Sequence, residues 1–170
     1  GHPCCSFSLS RKMIAETPNT SAALLRAIME ATAYAQKAEN RKEIAAAIAP
    51  TNYLNQPLTV VEQVLTGTYA DGLGGVKKDP ARIAFDPFPY ESFAVWTLTQ
   101  MKRWGQIKGD VDYQSVAREV YLVTDAAKAM KQAGLTPPQA TTKTFSVMGK
   151  LFDPAKPDEY LKSFAISLAG

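Results

Sequence analysis

Hydrophobic residues recur at helical spacing in three separate stretches of this chain. Each stretch places apolar side chains three or four residues apart, which is the period of one helix face. The stretches cover residues 21–38, residues 57–67 and residues 92–104. The pattern therefore predicts three helices that bury one face each. The side chains expected to be buried are Leu24, Leu25, Ile28, Met29, Val61, Val64, Leu65 and Trp96.

Shorter helices are predicted from start and stop signals. Asn40, followed three residues later by Glu43, resembles a capping box that opens a helix through about Ile48. Asp112 is a further candidate N-cap, and Gly134 stands where a glycine commonly follows a helix end. The other short helices are expected at residues 11–16, 113–120, 125–133 and 157–164.

Two short stretches alternate between apolar and polar residues, as strands do. They are residues 4–9 and 144–152. Because two isolated strands cannot form a stable sheet, they are interpreted as contributions to a sheet whose other strands lie elsewhere. Residues 68–90 contain three glycines and three prolines without a clear period. This length predicts an irregular segment that docks against something else. The fold class is thus mostly α with a few short strands.

Composition narrows the possible functions. The chain has 170 residues, of which 46% are hydrophobic and 21% charged, as expected of one globular domain. Its net charge of +3 comes from 19 basic and 16 acidic residues, and no basic run is longer than a pair such as Lys77-Lys78. Nucleic-acid binding is therefore not predicted. No apolar run approaches the ~18 residues of a membrane span.

Residues suited to catalysis or metal binding are few. His2 is the one histidine, and Cys4 and Cys5 are adjacent, so a disulfide between them would be strained. We expect both thiols to be reduced. Gly72-Leu73-Gly74-Gly75 lacks the Lys-Ser or Lys-Thr of a phosphate-binding P-loop. The carboxylates, among them Glu62 and Glu91, show no spacing that pairs them on one face. The sequence thus predicts no enzyme, no cofactor and no metal site.

The N-terminal residues suggest that a preceding part is missing. The chain starts without an initiator methionine or a signal sequence and enters an apolar run at once. We therefore expect residues 1–170 to be a single segment of a longer protein.

A series of short motifs resembles the nitrate- and bicarbonate-binding proteins of ABC transporters. The pieces occur in order over essentially the whole chain. They are His2-Pro3 before an apolar strand, Glu39-Asn40-Arg41, Tyr53-Leu54-Asn55-Gln56-Pro57, Leu65-Thr66-Gly67-Thr68-Tyr69, Asp71-Gly72-Leu73-Gly74, Ala94-Val95-Trp96, Gln100-Met101-Lys102-Arg103-Trp104-Gly105, Asp112-Tyr113, Pro137-Pro138 and Gly149-Lys150-Leu151-Phe152-Asp153.

The resemblance implies the C-terminal part of a two-lobed α/β periplasmic-binding-protein fold of type II. It implies binding of a small oxyanion, of the nitrate or bicarbonate type, by the periplasmic substrate-binding component of an ABC importer. The implied partners are the anion, the transporter's membrane components and the N-terminal part of the same chain. In the nitrate binders a lysine two residues after the His-Pro pair helps to hold the anion. Cys5 occupies that position here, next to His2.

Two other functions are compatible with the same resemblance. One is a cytoplasmic nitrate-sensing regulatory protein of the same fold, which reduced Cys4 and Cys5 would suit. The other is a sensor domain fused to a transporter ATPase. A signal peptide or an upstream ATPase in the gene would distinguish these from the importer component.

Overall fold

Helices dominate the chain in a computed structural model, which describes residues 5–168. Contacts divide it into two compact units, residues 27–87 and the remaining residues before and after them. The helices are Arg11–Glu16 (α1), Pro18–Gln36 (α2), Arg41–Ile48 (α3), Leu58–Thr66 (α4), Glu91–Arg103 (α5), Tyr113–Val120 (α6), Val123–Gln132 (α7) and Pro157–Lys162 (α8). The strands are Thr68–Ala70 (β1), Val76–Lys78 (β2), Phe145–Val147 (β3) and Lys150–Phe152 (β4).

The strands form two antiparallel hairpins, β1 with β2 and β3 with β4. The expected single strand at 144–152 is therefore wrong, because Met148 and Gly149 both adopt positive φ and reverse the chain there. The hairpin β1–β2 lies inside the segment expected to be irregular. The expected strand at 4–9 is wrong for residues 5–9, where the structure has no strand. Alternation alone cannot supply the neighbouring strand that a ladder needs.

The core of the larger unit lies where α5 packs against α6, α8 and the hairpin β3–β4. Its buried side chains are Ala94, Val95, Tyr113, Ala117, Phe152 and Tyr160. The expected inner face of α5 was wrong in part. Ser92, Val95 and Thr99 are buried, whereas Trp96 is half-buried and donates its Nε1–H to the Tyr160 hydroxyl, 3.2 Å away. Small side chains at the centre let the helix backbone approach its neighbours.

A second core holds residues 27–87 together. Its buried members are Ala45 and Ala49 on α3 and Val61 and Leu65 on α4. The predicted burial of Val61 and Leu65 is confirmed, but that of Val64 is wrong, since its side chain is 42% exposed. On α2, Met29 is buried as expected. Leu24 is exposed, while Leu25 and Ile28 are half-buried.

The capping box expected at Asn40 is absent. Asn40 ends a short 3-10 turn in helical conformation and makes no side-chain cap to α3. Its amide instead donates to the Tyr34 carbonyl, 3.0 Å away. Glu43 accepts a 2.8 Å hydrogen bond from the Tyr34 hydroxyl, and this bond raises the pKa of Tyr34. By contrast, Asp112 caps α6 as expected, accepting from the Ser115 N–H at 2.9 Å.

Ionisation of the Tyr113 hydroxyl is expected to lower the free energy of unfolding at high pH. Burial, and then the charge of Asp158, to which the hydroxyl donates at 3.2 Å, raise its pKa to about 12. Because the pKa of tyrosine in the unfolded chain is about 10, Tyr113 contributes stability that is complete below pH ~10 and lost as pH rises towards about 12. We expect a loss of at most about 2–3 kcal/mol from this group. Urea unfolding across this range, with Tyr113→Phe as the control, measures it; equal slopes in both proteins would contradict the assignment.

Candidate functional site

The residues singled out as anion contacts lie at the start of the chain. His2 lies outside the described residues, whereas Cys5 is exposed in a segment without helix or strand. That segment leads into α1 through Ser10, whose hydroxyl accepts from the Met13 N–H at 3.1 Å. The exposed Cys5 therefore belongs to the segment that leads into the capped start of α1.

A cavity of about 230 Å³ opens beside the end of this segment. Leu9, Ile14 and Leu25 supply apolar walls. Arg26, Lys128 and Asp125 also line it, which gives the cavity two cationic residues and one acidic residue. This balance suits a small anionic group, although Cys5 is not among the lining residues.

A larger cleft of about 490 Å³ lies beside α5 and α6, with Glu91, Lys143 and Asp153 among its lining residues. The structure thus brings together Glu91 and Asp153, which no sequence spacing connects. Each of the two carboxylates accepts a hydrogen bond from a neighbouring part of the wall. The Glu91 carboxylate accepts from the Thr141 hydroxyl at 3.2 Å, and that of Asp153 accepts from the Ala155 N–H at 2.9 Å.

Lys143 also forms part of the wall of this cleft. Its backbone N–H donates to the Ser92 hydroxyl at 3.2 Å. Its ammonium lies 3.9 Å from the centre of the Tyr90 ring, a cation–π contact. The arrangement can hold a small polar molecule between mixed charges.

The glycine-rich motif is a closed turn in the structure. The Asp71 carboxylate accepts from the backbone N–H groups of Leu73 and Gly75, at 2.8 and 3.0 Å. These two bonds lower the pKa of Asp71. Since a protein carboxylate already occupies the amides that a phosphate would need, the turn does not form a phosphate cradle.

Arg41, from the Glu39-Asn40-Arg41 motif, is buried among backbone carbonyls. Its guanidinium donates to the carbonyls of Ala35, Leu65, Pro80 and Ile83, at distances from 2.9 to 3.4 Å. Ala35 and Leu65 belong to the last turns of α2 and α4, where carbonyls lack helical partners. The motif residue therefore stabilises the fold of residues 27–87 and does not form a ligand site.

Metal binding has no support in the described part of the chain. Among residues 5–168, no three His, Cys, Asp or Glu side chains lie close enough to hold an ion. In the same residues, no helix is long and apolar enough to cross a membrane. Sequence reasoning missed the convergence of Arg26 and Lys128 at one cavity, because the two residues are far apart in the chain.

Comparison with known proteins places the chain beside anion-transport proteins. The NMT1-like family matches residues 1–49. The nitrate/nitrite-binding protein NrtA of a Nostoc species is 32% identical over 97% of this chain and 40% of its own length. The bicarbonate-binding protein CmpA of Synechococcus elongatus is 26% identical over 99% of this chain and 41% of its own length. The nitrate import ATP-binding protein NrtC of Synechocystis is 23% identical over 98% of this chain and 26% of its own length.

The fold is that of part of a periplasmic binding protein. The crystal structure of the periplasmic nitrate-binding protein NrtA from Synechocystis superposes with a TM-score of 0.84 at 22% identity. The match covers 91% of this chain and 43% of that structure. The chain therefore spans about two fifths of the length of the binding proteins that it matches. The resemblance and the fold class expected from the sequence are confirmed.

Proposed function

We propose that this chain is the C-terminal part of a substrate-binding protein that captures a small oxyanion, nitrate or bicarbonate, for an ABC importer. One observation carries the proposal: similarity to named nitrate- and bicarbonate-binding proteins extends over at least 97% of the chain. The two relatives are named as binding proteins, which supports a binding role over an enzymatic one. The periplasm is the proposed location, because the matched crystal structure is that of a periplasmic nitrate-binding protein.

The test is calorimetry with nitrate and with bicarbonate on the complete protein that the gene encodes. A saturable exothermic or endothermic signal with either anion, absent with chloride, is expected. No signal with either anion would contradict the proposal.

Cys5, with His2, is the proposed contact of this chain with the anion. A lysine ammonium offers a positive charge and three donors where a neutral thiol offers one weak donor. We therefore expect Cys5→Lys in the complete protein to strengthen nitrate binding by roughly 10-fold or more, since a hydrogen bond to a charged group contributes about 1.5–3 kcal/mol. The titration that tests the function measures the affinity. Cys5→Ser, which keeps a small neutral side chain, is the matched control, and equal affinities in the two variants would exclude Cys5 as a contact.

The similarity to an ATP-binding protein supports a second candidate function. Nearly the whole chain matches a stretch of the nitrate import ATP-binding protein NrtC. The chain would then be an anion-sensing domain fused to a transporter ATPase. An ATPase domain encoded upstream in the same gene would favour this function over the separate binding protein.

A further inference from the structure

The cavity of about 230 Å³ is lined mainly by one face of α2 and one face of α7. On both helices its lining residues recur three and four positions apart, as neighbours on one helix face do. Serine and alanine hold several of these positions, and such short side chains leave the space between the helices unfilled. All the lining residues belong to the same compact unit. They include Pro18, Ser21, Ala22, Leu25 and Arg26 on α2 and Asp125, Lys128, Ala129 and Gln132 on α7.

Large apolar side chains supply the rest of the wall. Leu9, Ile14, Leu25 and Leu122 line the cavity, and all four are half-buried. A ligand with an apolar body would remove more of this surface from water, which is favourable. A cavity of roughly 150 Å³ with leucine and isoleucine walls is large enough for benzene. The space of about 230 Å³ therefore suits one six-membered aromatic ring with a short side chain.

Arg26 brings to this cavity a positive charge that the described chain does not pair. Arg26 is half-buried, yet among residues 5–168 it forms no hydrogen bond, ion pair or ring contact. Partial removal of a guanidinium from water without an acceptor is unfavourable. With Lys128 and Asp125, the lining carries one net positive charge. This balance suits a group with a single negative charge, and a carboxylate offers the two oxygens that a guanidinium binds in parallel.

We propose that this cavity is a second ligand site, which binds a small aromatic carboxylate. The ring occupies the apolar space, and the carboxylate binds the Arg26 guanidinium, with Lys128 adding positive charge. Nitrate and bicarbonate have no apolar body, so the site differs in chemistry from one for a transported oxyanion. Cys5, the proposed contact for that oxyanion, is not among the lining residues. The second site therefore does not depend on the proposed function.

Calorimetric titration of the complete protein that the gene encodes with 3-phenylpropanoate tests the site. We expect a dissociation constant of ~1 mM or tighter for a ligand of this size. The alcohol 3-phenylpropan-1-ol has the same ring and chain but no charge, so it should bind at least about 10-fold more weakly. Nitrate should not displace the acid. Absence of binding by the acid, equal binding of the alcohol, or displacement by nitrate would each overturn the proposal. Nitrate binding is measured on its own, so failure of the proposed function is seen separately.

Two pairs of variants locate the bound acid. Arg26→Gln should weaken its binding by roughly 10-fold or more, because the charged donor is lost. Arg11→Gln is the matched control, since Arg11 is exposed on α1 and does not line the cavity. Lys128→Gln should weaken binding by roughly 2- to 5-fold, as an exposed charge does, and Lys131→Gln, exposed on α7 outside the lining, is its control. A folded Arg26→Gln that binds the acid as tightly as Arg11→Gln overturns the proposal. If Arg26→Gln does not fold, equal affinities of Lys128→Gln and Lys131→Gln overturn it.

Discussion

Replacing Arg41 by methionine is expected to lower the free energy of unfolding by about 3–5 kcal/mol. Arg41 is 7% exposed, and its guanidinium donates to four carbonyls, two of them at the C-terminal turns of α2 and α4. Methionine fills a similar volume but donates nothing, so these carbonyls stay buried without a donor. The positive charge that favours the negative ends of both helices is lost as well. Urea unfolding followed by circular dichroism measures the change.

Two further variants separate the hydrogen bonds of Arg41 from its charge. Arg41→Lys keeps the charge but lacks the planar fork that reaches several carbonyls, so we expect it to recover only part of the lost stability. Lys42→Met removes an exposed cation from the next position and should change stability by less than about 0.5 kcal/mol. If Arg41→Met were no more costly than Lys42→Met, the bonding role assigned to Arg41 would be wrong.

The sequence predicted the helices well, because the signals that start, stop and orient a helix are local. Gly67, Gly105 and Gly134 all end helices with positive φ, and Asp112 caps α6 as expected. Burial on each helix was predicted less well. Val64 was predicted on the same apolar face of α4 as Val61, but whether its side chain is buried depends on what packs beside α4. Periodicity gives the direction of an apolar face but not the width that a neighbour covers.

The partners of the site residues lie too far apart in sequence to be predicted. Arg41 bonds carbonyls 24, 39 and 42 residues away. The cleft that joins Glu91 to Asp153 depends on how α5 packs, and no motif encodes that packing. At Asn40 the local pattern was present but was not used. Asn40 and Glu43 have the spacing of a capping box, but both side chains hydrogen-bond to Tyr34 of the preceding helix instead.

Replacing Gly67 by alanine is expected to lower the free energy of unfolding by about 3 kcal/mol or more. Gly67 ends α4 at φ +69, where any side chain adds roughly 1–2 kcal/mol of backbone strain. An added Cβ would in addition lie 1.8 Å from the Asp79 carbonyl oxygen and 2.6 Å from its carbon. The chain at Asp79 would have to move away, which breaks the 2.8 Å hydrogen bond from the Asp79 N–H to the Gly67 carbonyl. Since this bond continues the ladder of β1 and β2, the hairpin should loosen with it.

Gly72→Ala is the matched control, because it reproduces the strain without the collision. Gly72 has φ +78, and nothing lies within 4 Å of the Cβ that alanine would add. Gly72→Ala should therefore lower the free energy of unfolding only by the backbone strain, about 1–2 kcal/mol. The difference between the two variants in urea unfolding isolates the contact between Gly67 and Asp79. Hydrogen exchange should show faster exchange at Asp79 and the β2 amides in Gly67→Ala alone. Equal stability losses would mean that the chain at Asp79 moves aside freely, and the close approach would then have no energetic role.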